Sequence, residues 1–61
     1  MSYYYMISLY RMLYPNTAYR RELKQRFETA LEAYNANNSG ENFAKLRDVA
    51  ADIEEELEDW C

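Results

Sequence analysis

Residues 39–60 read SGENFAKLRDVAADIEEELEDW, and this stretch decides the fold. Its apolar residues Phe43, Leu46, Ala50, Ile53, Leu57 and Trp60 recur at alternating spacings of three and four, with Val49 widening the stripe. A helix places such positions on one face. Ser39 offers an N-cap hydroxyl with Gly40 beside it, and the run from Asn35 to Asn38 stops what precedes it. Glu41 sits where the helix dipole favours an anion. The spacing predicts a helix from about 40 to 61, with Trp60 as its last core residue.

Immediately upstream the pattern repeats. Leu23, Phe27, Ala30 and Tyr34 share the same spacing, flanked by Leu31. Pro15 ends the preceding element, and Asn16 or Thr17 can cap the next. Glu22 and Arg26 stand at i,i+4 in the favourable orientation. The prediction is a second helix over about 17–36. Two helices of similar length joined by a short polar link fold back as an antiparallel hairpin.

Charge supports the same pairing. Residues 1–27 hold Arg11, Arg20, Arg21, Lys24 and Arg26 against Glu22, a net of +4, whereas residues 28–61 carry −8. Arg20, Arg21 and Lys24 crowd a helix N-terminus, and Glu54, Glu55, Glu56, Glu58 and Asp59 crowd a helix C-terminus. Each is the end where the macrodipole disfavours that sign. An antiparallel hairpin sets the two ends side by side, where they neutralise each other.

The opening, MSYYYMISLYRMLYP, contains five tyrosines. Tyrosine and isoleucine favour strands, but the two alternating sets of residues are equally apolar and no second strand is available. Read as a helix ending at Pro15, the stretch gathers Tyr4, Ser8 and Arg11 on one side. Tyr3, Met6, Ile7, Tyr10, Leu13 and Tyr14 fall on the other. The expected architecture is all-α: a hairpin of about 17–36 and 40–61 with a short N-terminal helix, one domain over residues 1–61.

Sixty-one residues with one cysteine and no histidine exclude an internal disulfide and zinc sites of the Cys/His type. A chain this short buries only ~60% of its unfolded surface, so it depends on regular packing or on association. No secretory n-region with a cleavage site is visible, and no apolar run approaches the ~20 residues of a membrane span. The expected setting is cytoplasmic, with no membrane contact, and a free thiol at Cys61 fits a reducing compartment.

Chemistry is sparse. Without histidine, acid–base work falls to carboxylates and tyrosines on solvated faces, so no catalytic residue, cofactor or metal is assigned and the chain is read as a non-enzyme. The acidic run lies on a helix and lacks the irregular glycine turn of a calcium loop. Rows of carboxylates on a rigid rod imitate phosphates, so Glu54, Glu55, Glu58 and Asp59 form an alternative, nucleic-acid-mimicking face. Direct nucleic-acid binding by the basic, tyrosine-rich half is disfavoured by the acidic helix beside it.

The tyrosines remain. A core seldom selects so many hydroxyls, whereas tyrosine and methionine suit surfaces that meet other proteins. Tyr4, Tyr5 and Met12 fall outside the best apolar stripe, with Arg11 beside them, and are the candidate partner-binding residues. The expected function is a small acidic binding protein that contacts another protein, a second copy of itself, or both. By analogy of size and composition, it is an inhibitor or regulator of a larger protein machine, of the kind phages direct at host or defence systems. A homo-oligomeric structural or adaptor module is the other alternative.

Overall fold

The computed structural model describes residues 1–58. The expectations for Asp59, Trp60 and Cys61, including the helix running to 61 and Trp60 in the core, lie outside the described residues. The described residues form three helices: α1 (Tyr3–Met12), α2 (Ala18–Ala36) and α3 (Gly40–Glu58). Helices α2 and α3 pack as a hairpin, and α1 lies across it, closer to α3 than to α2.

Each start is set by a hydroxyl. Ser2 Oγ accepts from Tyr5 N, Thr17 Oγ1 from Arg20 N and Ser39 Oγ from Asn42 N, each at 3.1 Å. A capping oxygen satisfies an amide that has no partner within the helix. The hairpin link needs no left-handed residue: Gly40 does not have positive φ and is simply the first residue of α3. The free end of α2 is closed instead from α3. Asn42 Nδ2 donates to Ala33 O at 3.2 Å and to Asn37 O at 3.0 Å, tying the two helices at the turn.

The core is one cluster: Met6, Leu9 and Leu13 from the N-terminal segment, Leu23 and Phe27 from α2, and Leu46, Val49, Ala50 and Ile53 from α3. An aromatic series runs along its edge. Tyr3 lies 6.0 Å from Tyr34, Tyr34 meets Phe43 edge-on at 5.6 Å, and Tyr10 stacks on Phe27 at 4.9 Å. These rings carry α1 onto α2, although its backbone lies nearer α3.

Two core assignments change. Tyr14, expected on the apolar side of α1, is 66% exposed. The helix stops at Met12 and Leu13 is extended, so helical spacing no longer places the next residue. Leu13 still turns inward, and Leu9 joins it, because the buried arc of α1 centres on Met6, Leu9 and Leu13.

Among the described residues, the charged ends of the hairpin meet where Arg20 reaches Glu56. Arg20 Nε donates to Glu56 Oε1 at 2.9 Å, and Arg20 Nη1 to Asn16 Oδ1 at 3.2 Å. Arg20 is only 7% exposed. Lys24 does not join this pairing: its ammonium donates to Leu13 O at 2.8 Å and lies 4.4 Å from the centre of the Tyr10 ring. A carbonyl at the end of α1 attracts a cation as a carboxylate does. Arg26 likewise reaches across to Asp52, at 3.9 Å, rather than along its own helix to Glu22.

Candidate protein-contact surface

Helix α1 is fastened by two phenol–carboxylate bonds. Tyr5 Oη donates to Glu54 of α3, and Tyr10 Oη to Glu28 of α2. Each bond stabilises the neutral phenol and so raises its pKa. For Tyr5, partial desolvation and the charges of Glu54 and Glu58 add to the effect; for Tyr10, desolvation and the Glu28 charge do. One tether lies on each flank of α1, which leaves its outward side free.

That outward side carries Tyr4, 82% exposed, with Ser8 and Arg11 on the same side. Tyr4 and Arg11 stand two helical turns apart and therefore align. Ser8 Oγ donates to Tyr4 O at 3.0 Å, and Tyr3 meets the Tyr4 ring edge-on at 5.8 Å. Met12, 61% exposed, lies on the flank towards α3. Of the four candidate contact residues, Tyr4, Arg11 and Met12 are free to meet a partner, whereas the Tyr5 hydroxyl is engaged by Glu54.

Among the described residues, the exposed large apolar side chains are Met1, Tyr4, Tyr5, Met12, Tyr14 and Tyr19, all within the first third of the chain. The acidic candidates are divided. Glu54 is held by Tyr5, Glu55 and Glu58 are exposed, and Asp59 lies outside the described residues. The three described acidic positions therefore do not present one uniform row.

The molecule measures 35 × 20 × 14 Å. Its depressions are open grooves between neighbouring elements. One, of about 520 Å³, runs between α2 and α3 over Ala30, Ala33 and Val49, with Arg26 and Lys45 at its rims. A second, of about 380 Å³, lies beside α1 and is lined by Tyr10, Pro15, Arg21 and Lys24. Sequence periodicity did not reveal either groove, because each depends on how side chains from two elements meet. Among the described residues no three His, Cys, Asp or Glu side chains are grouped to hold a metal ion, and no helix is long and apolar enough to cross a membrane.

No protein-family model, curated protein or solved structure matches the chain. Fold and surface together describe a three-helix miniprotein with an aromatic, methionine-bearing face.

Proposed function

We propose that the protein acts by binding another protein through the outward side of α1, as a non-enzymatic inhibitor or regulator of a larger assembly. One observation supports this most: a helix anchored on both flanks still leaves Tyr4 and Met12 in solvent. A helix needed only to cover the hairpin would not require large apolar groups exposed to solvent. Aromatic and arginine side chains are the usual anchors of protein interfaces, and methionine adapts to irregular ones. The division of Glu54, Glu55 and Glu58 makes nucleic-acid mimicry the weaker reading.

The test is capture from the native host with the tagged protein and with Tyr4→Ser/Met12→Ser. The proposal expects a specific protein retained by the first and lost with the second, at unchanged helicity. Capture that survives the substitutions would place the contact elsewhere.

A further inference from the structure

We infer that the outward surface of α1 is completed by a second copy of the chain, α1 of each copy lying on the outer stripe of α3 of the other. The inference rests on the reading of α1 as a contact surface and names what covers that surface in the free protein. The cations on and beside α1 are unengaged by carboxylates: among the described residues, neither Arg11 nor Arg21 forms an ion pair. Arg21 lines the cleft beside α1 together with Tyr10, Lys24 and Glu28, the last taken up by the Tyr10 hydroxyl, so cationic side chains continue from α1 onto α2. The surface therefore combines exposed rings with uncompensated positive charge in a protein whose net charge is −4.

The chain itself carries the complement. Ala44, Asp48, Ala51, Glu55 and Glu58 follow spacings of four and three along α3 and share one side. Asp48, Glu55 and Glu58 are exposed and form no ion pair among the described residues. Small residues between them let rings from another helix approach closely, and the carboxylates stand where Arg11 and Arg21 would find them. Arg47 is the one cation bordering this stripe.

Geometry favours a closed pair. Glu54, next to Glu55 in sequence, accepts from the Tyr5 hydroxyl, so the α3 stripe adjoins the α1 surface at this seam. A two-fold axis can therefore place α1 on α3 and α3 on α1 at once, an isologous contact that closes without growing into a fibre. The doubling matters for area. The outer side of a helix about 15 Å long is small against the ~800 Å² per partner of a stable interface.

Sedimentation equilibrium from micromolar to millimolar protein, at low and high salt, tests the inference with two charge-reversed chains. One carries Arg11→Glu and Arg21→Glu, the other Glu55→Lys and Glu58→Lys, and circular dichroism checks the helicity of both. The expected result is a dimer that weakens with salt. Each variant alone should associate at least about tenfold more weakly, and an equimolar mixture should dimerise again because both contacts regain opposite charges. A wild-type chain that stays monomeric up to millimolar concentration overturns the inference. So does undiminished association of the Glu55→Lys/Glu58→Lys chain, which decides alone if the arginine variant loses helicity. So does failure of two folded variants to re-pair. A monomer that still loses a captured host protein on Tyr4→Ser/Met12→Ser would refute only the second copy, leaving the contact surface in place.

Discussion

Arg20 of α2 and Glu56 of α3 meet at 2.9 Å, where each helix separately carries the wrong charge for its dipole. The side chain of Arg20 is 8% exposed and that of Glu56 25%. The pair also links residues thirty-six apart in sequence, so it fixes how far the hairpin closes at its open end.

This makes Arg20 and Arg21 unequal. Arg20→Glu, or Glu56→Ala, should lower stability by about 1–3 kcal/mol, between the limits for exposed and buried pairs. Arg21→Glu should stay within about 0.5 kcal/mol, as for an ordinary surface change. Thermal melts of the three variants check this. Equal losses at both arginines would mean that a diffuse field, rather than one contact, holds the helix ends together.

The tyrosine tethers predict an alkaline transition. Both phenols have raised pKa values in the folded protein, so their stabilisation is complete below the unfolded value of about 10 and is lost as pH rises through the raised native values. Above that range each tyrosinate faces its own carboxylate, and α1 should lift from the hairpin. Tyrosinate absorbance and circular dichroism should change together, and Tyr5→Phe/Tyr10→Phe should remove the coupling between them. Tyr10→Phe alone keeps the ring stacked on Phe27 and should cost about 0.5–1.5 kcal/mol at neutral pH.

The parts of this structure legible in the sequence are those that local rules govern. The α2–α3 hairpin follows from 3.6-residue periodicity on both sides of Asn35–Gly40; the Ser39 cap follows from residue type, which narrows the α2 cap to Asn16 or Thr17, of which Thr17 serves. The alignment of Tyr4 with Arg11 is equally local. The Tyr5–Glu54 bond joins residues 49 apart, and nothing in either neighbourhood announces it. Asn42 looks like a poor helix former at the start of α3, yet it closes the end of α2. Tyr14 was misplaced because helical phase was carried past the point where α1 ends.

Gly40 offers a gain in stability. It lies in α3 without positive φ, and a Cβ placed there meets no atom within 4 Å. Gly40→Ala should therefore stabilise by about 0.4–1 kcal/mol by reducing the freedom of the unfolded chain. A lower melting temperature would show that the turn needs the glycine after all.

The core assignment separates Leu9 from its neighbours on α1. Leu9→Ala should cost about 2–5 kcal/mol and Phe27→Ala about 3–5, enough to unfold much of a domain this small. Ser8→Ala, on the outward side, should leave the melt nearly unchanged. A tolerated Leu9→Ala would mean that α1 is only loosely seated.

The three methionines report most directly on the central claim, that the outward side of α1 is a contact surface. Met6 is fully buried, whereas Met12 on the flank of α1 and Met1 are exposed. With labelled methionine methyl groups, NMR spectra are recorded as the protein is concentrated and as a captured partner is added. The account predicts that the Met12 methyl shifts and broadens on association while Met6 stays in place. A Met12 signal that remains unchanged while complex forms would contradict it and move the contact to another face of the bundle.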